Sequence, residues 1–323
     1  MSINVDDLIT DSNDHTEAIN LAIQMSADHV VRFTGGKTYY ISDEIRPNRG
    51  TRLVCDGWTL IKALPSFDFG GSNDRAMIHQ YRDGLPVLYG EPGPTDRIYL
   101  KNINLDGSNI PGANGILASL QQPAAWQNVR VDHCPGYGIA LCDTVQAVFH
   151  NLMVIDCGVG VRMRSAQLCY FYGFNVEQSA VSHLIMEKQN NSTSNNVYNS
   201  FVGVHLEGLY GQVAIDHQSG GANIWMNTYM AMTQNQICWR FASIGGAEPR
   251  APIYTIISAG FSGSLDTITA IKDIDRDLCL NVHDHFRGFI PFFVAPNQNY
   301  ANPPDWTAQN GVNVAKLTEL IRI

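Results

Sequence analysis

Residues 151–163 read NLMVIDCGVGVRM, an apolar alternation ending on Asp156, a small-residue turn at Cys157 and Gly158, and a second alternation out to Met163. Period-two alternation marks a strand that buries one of its faces. The same unit recurs along the chain. An apolar-x-apolar-acid run ends at Asp106 (INLD, 103–106), Asp132 (VRVD, 129–132), Asp156 (MVID, 153–156), Glu177 (FNVE, 174–177) and Glu207 (VHLE, 204–207), the acids spaced 26, 24, 21 and 30 residues apart. A short turn and a second alternating strand follow each acid, centred on Leu117, Ala140, Arg162, Ile185 and Ala214. A third alternating stretch, such as VQAVFHN (145–151) or LCYFYG (168–173), leads into the next acid.

A unit of this length with three short strands cannot bury its apolar face alone. Stacked units can, each strand pairing in parallel with its counterpart one turn on. The expected fold class is therefore all-β, a parallel β-helix. Its expected divisions are 1–28 as an N-terminal segment and capping helix, 29–262 as the coil, and 263–323 as a C-terminal cap or association segment, because the pattern lapses from about Gly263.

The residues ahead of the repeats agree. Asp14-His-Thr-Glu17 is a capping-box-like start to the helix TEAINLAIQMSA, and VVRFTGGKTYYI (30–41) follows it. This order resembles the start of pectate-lyase-like right-handed parallel β-helix proteins, in which a D-x-T-x-A-I-x-x-A-I helix closes the open end and V-x-F-x-x-G-x-x-Y-x-I begins the coil. That family includes many bacteriophage tailspikes and depolymerases. The resemblance covers roughly residues 11–260 and implies a right-handed coil, a homotrimer, other virion proteins as partners, and bacterial surface polysaccharide as the ligand. The Asn-Thr-Asp, Asp-Asp and Gly-His-Gly set of polygalacturonases is missing, which argues against pectin hydrolysis.

Composition narrows the function. The chain has 323 residues, 45% hydrophobic and 16% charged, with a formal charge of -9. With no cationic cluster it lacks the means to displace counterions from a phosphate backbone, so nucleic acid is excluded as a partner. No stretch approaches the length of a membrane span, and MSINVDDLITDSND has neither the basic nor the apolar region of a signal peptide, so the expectation is no membrane insertion and a virion location. Seven cysteines form no C-x-x-C and are expected as buried free thiols. Gly36-Lys37-Thr38 lacks the first glycine of a phosphate loop, and His283-Asp-His285 would hold a metal if copies met on an axis.

The acids carry the chemistry. With Ile103, Leu105, Val129 and Val131 pointing inward, the acid ending each run faces out. Asp106, Asp132, Asp156, Glu177 and Glu207 would form one ridge with a coil spacing of about 4.8 Å. Adjacent coils suit the carboxylate separation of retaining glycosidases and alternate coils that of inverting ones. Crowding raises some carboxyl pKa values, as a general acid needs. Asp156, Glu177, Asp132 and Glu207 are thus candidate catalytic residues. Asp106, Arg162 and Arg164, with Tyr137, Tyr172 and Trp126 as sugar-stacking rings, are candidate binding residues. A lyase would instead use the Arg residues with His133 or His205 as base. No cofactor is expected, with Ca²⁺ between coils or a solvated, inert ridge as the other readings of the acids. A free monomeric polysaccharide hydrolase or lyase and a non-catalytic virion fibre both stay open. Finally, Leu117, Ala140, Ile185 and Ala214 on the outward side of the second strand form an apolar strip that a trimer partner, or a loop of the same chain, would cover.

Overall fold

The computed structural model describes residues 2–11, 13–89, 97–121, 124–187, 196–220, 223–233, 236–241, 253–263, 269–273, 279–283 and 293–294, in backbone only from 241 onward. Apart from a 3-10 turn at Val5–Leu8 and one α-helix at Thr16–Met25, the described elements are strands. Nearly all pair in parallel into a 12-stranded and a 9-stranded sheet, here the long and the short sheet. The chain alternates between them: Ala125–Asp132 in the long sheet, Tyr137–Cys142 in the short, Val148–Ile155 in the long, Val159–Arg164 in the short, and onward. Each coil lies one strand beyond the last. This is a parallel β-helix.

The three strands per repeat are present in an altered form. Strands of the long sheet, eight residues long or ten for Asn223–Met232, are kinked near their middle by a residue of positive φ: Asn102, Asn128, Asn151, Gly173, Gly203 and Asn227. Asparagine and glycine tolerate that conformation best. The two stretches that look separate in sequence are therefore the two arms of one bent strand. Asparagine also bonds along the stack: Asn128 Nδ2 donates to Asn102 Oδ1 at 2.8 Å and Asn151 Nδ2 to Asn128 Oδ1 at 2.9 Å.

Inward positions build a continuous core. Trp126, Phe149, Phe171, Phe201 and Trp225 occupy the same register position in successive coils, with ring centroids 5.3, 4.5, 4.6 and 4.0 Å apart. Such pairs add about 0.5–1.5 kcal/mol each beyond the area they bury. Trp126, expected as a sugar-stacking ring, is thus a core residue at 1% exposure. Where the short-sheet strand enters the core, space is tight enough to demand glycine. A Cβ on Gly160 would lie 2.3 Å from Val176 Cγ1 and 2.5 Å from the His183 carbonyl oxygen. The six cysteines whose side chains are described are all buried free thiols, as expected.

Helix Thr16–Met25 buries Ala18, Ile19, Ala22 and Ile23 against the first coil. Its start is simpler than a capping box. Asp14 Oδ1 accepts from Thr16 N at 3.0 Å, and the N-cap residue His15 makes no side-chain capping bond. At the other end, pairing does not stop at 262. Thr269–Asp273, Cys279–His283 and Phe293–Val294 continue both sheets in parallel, so the coil's backbone runs into the segment expected as a cap. His285, residues 289–292 of FIPFFV and the terminal KLTELIRI lie outside the described residues.

Two expectations change. Asp132 pairs with Ile155, which pairs with Glu177 and then Glu207 in line. Asp156 follows one position later at φ 52°, because Leu152 and Val154, not Met153 and Ile155, face the core. The apolar strip also differs. Its register runs Leu117, Ala140, Arg162, Ile185 and Asp216, while Ala214 points into the core. The strip is not bare: residues from the excursion between Ala63 and Tyr99, notably Ala76, Val87 and Tyr89, pack over Leu117, Tyr137, Ala140, Cys142 and Ile185. Of the two covers expected for this strip, a trimer partner or a loop of the same chain, the second is present.

Candidate functional site

The ridge forms where long-sheet strands end and the chain turns toward the short sheet. The register column there reads Lys62, Asp106, Asp132, Ile155, Glu177 and Glu207. Beside it, one residue on, Gly107, His133, Asp156 and Gln178 each donate a backbone N–H to a carbonyl of the following coil. The acids are therefore held on strand ends rather than on free loops, and strand ends are precise platforms.

Asp106 and Asp132 are neighbours in adjacent coils, and their surroundings push them in opposite directions. Lys62 Nζ lies 2.9 Å from Asp106 Oδ2, His133 Nδ1 lies 3.1 Å from its Oδ1, and Ser108 N donates to that same oxygen at 2.8 Å. Burial works to raise the Asp106 pKa, but these three partners outweigh it and hold the carboxyl below its usual range. Asp132 is buried, and burial dominates there, lifting its pKa above the ordinary carboxylate value against the opposing hydrogen bond from Arg130 Nε at 2.6 Å. Its second oxygen, Oδ1, has no hydrogen-bond partner among the described residues. Two carboxyls whose environments separate their pKa values are what an acid paired with a permanently ionised group requires. Coil spacing of about 4.8 Å places them near the retaining geometry.

The remaining acids divide around this pair. Asp156 comes within 4.0 Å of His133 Nε2, so His133 spans Asp106 and Asp156. Glu177 accepts from Asn175 Nδ2 at 2.8 Å two coils below Asp132, and Glu207 lies 3.2 Å from His205 Nε2. Among the described residues no three His, Cys, Asp or Glu side chains converge as a metal site would. His183 and His217 face the core, where burial pushes each down to about 3.

The expected binding residues are scattered. Arg162 and Arg164 are on the short sheet and both hold Glu187, at 2.5 and 2.6 Å. Their guanidinium groups also lie 4.7 and 4.2 Å from the centroid of the Tyr89 ring, whose hydroxyl donates to Glu187 at 2.8 Å. Tyr137 is buried beneath Tyr89, ring against ring at 5.9 Å, with its hydroxyl on the Asn73 carbonyl. Neither Tyr137 nor the two arginines can be part of the ridge. Tyr172 is exposed on the long sheet, with one ring face against His150. Lys62 carries no such sequence signal: Thr59-Leu60-Ile61-Lys62 keeps the register of the acid-ending runs but begins on threonine and ends on a base. Tyr89 and Glu187 left no periodic signal, since their pairing joins residues 98 apart.

No protein-family model and no curated protein matches the chain. Solved structures do. ORF18 of Geobacillus virus E2 aligns at TM-score 0.61 and 17% identity over 91% of this chain and 59% of that one. An alginate lyase from Paenibacillus sp. str. FPU-7 aligns at TM-score 0.62 and 11% identity over 86% of this chain and 95% of that one. The catalytic domain of a GH87 α-1,3-glucanase aligns at TM-score 0.57 and 15% identity over 90% and 55% respectively. The chain thus spans a little over half of the viral protein and of the glucanase. At such identities the likeness establishes the shared β-helix fold.

Proposed function

We propose that this chain is a tailspike-like virion protein that binds and cleaves a bacterial surface polysaccharide, with Asp132 as general acid and Asp106 as the ionised partner. The observation that carries this is the placement of two carboxyls on adjacent coils, Asp106 held by Lys62 and His133 and Asp132 buried with one oxygen unpartnered among the described residues. Asp132, whose burial makes it easier to protonate than an ordinary carboxyl, would give its proton to the glycosidic oxygen as the bond to the anomeric carbon breaks. Asp106, kept ionised by Lys62 and His133, would stabilise or attack the positive charge developing at that carbon, and water would then bond to the carbon as it returns a proton to Asp132. Similarity to a viral protein and to two polysaccharide-acting enzymes supports the setting. The reading includes self-association as a homotrimer and attachment to other virion proteins.

The test is a reducing-end assay on α-1,3-glucan, alginate and purified surface polysaccharides of candidate hosts. Asp132→Asn and Asp106→Asn should each lose activity by a factor of 10² or more, on the order expected for acid–base groups, with unchanged circular dichroism. Full activity in both variants would remove the pair from catalysis. Loss in Asp132→Asn and Glu177→Gln, with Asp106→Asn unaffected, would move the chemistry to the wider Asp132–Glu177 spacing.

The basic groups beside the pair support one other reading. With Lys62, His133 and Arg130 close at hand, a lyase acting on a uronate polymer would leave an unsaturated product, detected by its ultraviolet absorbance.

A further inference from the structure

We infer that copies of this chain pack against one another through the charge-free half of the long sheet's outer face. This rests on the self-association in the reading above and is independent of its sugar chemistry. The kink residues divide that outer face in two. On one side stand Arg130, Asp132, Glu177, His205 and Glu207. On the other, the outward register columns read Val148, Tyr170, Ser200, Ile224 and His150, Tyr172, Val202, Met226, with no formally charged residue across four coils. Leu168, Tyr170, Tyr172 and Tyr198 are 37, 38, 41 and 55% exposed there, and nothing among the described residues covers them.

Charge selects the occupant. Two chains of formal charge -9 repel, and approach through the acidic half would set carboxylates against carboxylates. The other half removes that penalty and offers the Tyr, Met and aliphatic side chains typical of an interface centre. Ring geometry disfavours a sugar as the occupant. His150 and Tyr172 belong to adjacent coils and stack at 5.1 Å and 15°, so their planes lie across the helix axis and their edges face outward. A pyranose stacks on a ring face, whereas ring edges interdigitate well with another protein's side chains. Four coils at about 4.8 Å and five residues at about 3.3 Å give a patch of roughly 300 Å². That suits the fully buried centre of an interface of about 800 Å² per partner, with Lys101, Gln127 and Gln146 bordering it as a polar rim.

Light scattering on the intact chain tests this. The wild type should give a multiple of 35.7 kDa. The double variant Tyr172→Glu with Met226→Glu should fall to one chain with unchanged circular dichroism, while Tyr210→Glu, at an exposed turn outside the patch, should keep the multiple. A second measurement needs no variant: tyrosine nitration read by mass spectrometry should spare Tyr170, Tyr172 and Tyr198 in the wild type and modify Tyr210. A wild type of single-chain mass, a multimer that survives the double substitution, or four equally nitrated tyrosines would each overturn the inference. So would protection of the patch that appears only on adding polysaccharide. Absence of sugar cleavage in a protein that passes these tests would sink the proposed chemistry and leave the interface standing.

Discussion

The outer faces of the two sheets start from similar sequence and end in opposite states. On the short sheet, Leu117, Ala140 and Ile185 lie under a strap that includes Ala76, Val87 and Tyr89, and the arginines beneath its tip are spent on Glu187 and Tyr89. On the long sheet, Tyr170, Tyr172 and Glu207 remain open to solvent and Asp156 and Glu177 are only partly covered. Outward apolar residues in a coil therefore do not by themselves mark a partner surface. What decides is whether the chain supplies its own cover, and an excursion of this length can do so several coils away.

The largest effect should come from breaking the strap's tip. Glu187 sits buried between two guanidinium groups, so Glu187→Gln leaves cations in a poorly solvated site with no carboxylate. The expected loss is about 3–5 kcal/mol, read from the urea midpoint. Burial works to raise the Glu187 pKa, but Arg162 and Arg164 outweigh it and keep the value low. That stabilisation is fully present above the ordinary carboxylate range and is lost as pH falls through the depressed folded value. The destabilisation of Glu187→Gln relative to wild type should therefore shrink on acidification. By contrast Glu207→Gln, on the open face, should stay within about 0.5 kcal/mol of wild type. Equal losses at the two glutamates would mean that the covered and open faces do not differ as described.

A middle-sized effect belongs to the ladder dividing the long sheet's outer face. Asn128 has φ 53° and links Asn102 to Asn151. Asn128→Ala should cost about 1–2 kcal/mol, since alanine is strained in that conformation and cannot bond to either neighbour. Asn128→Gly keeps the conformation and should cost less. If glycine cost as much as alanine, the ladder bonds lost in both and not the kink would hold the two halves apart.

Much of this was legible because a coil repeats its constraints. Period-two alternation at Ile103, Val129, Phe174 and Val204 located the inward face, and the acids located the strand ends. The MVID run failed by one residue because Met153 and Ile155 are apolar yet face outward, so hydrophobicity alone could not set the register. Trp126 and Tyr137 could not be assigned to a surface from residue type, since an aromatic serves core and surface alike. The strap was invisible for another reason: Glu187 and Tyr89 meet only after four coils have stacked between them, and local patterns carry no trace of that distance.

The smallest expected effect also has the opposite sign. Burial raises the folded Asp132 pKa above its unfolded value, with Arg130 opposing, so the folded state binds a proton more readily than the unfolded state does. Stability from this group is present at pH below the unfolded carboxylate value and is lost as pH rises through the folded value. Asp132→Asn removes that penalty, so it should be slightly more stable than wild type near neutral pH, and the gain should vanish in acid. Urea unfolding of both proteins across that range measures it. A gain in stability alongside lost cleavage is what an acid retained for chemistry predicts, because functional groups are commonly kept at a cost to the fold. A loss instead would mean that the Arg130–Asp132 bond stabilises the strand end by more than burial of the carboxyl costs.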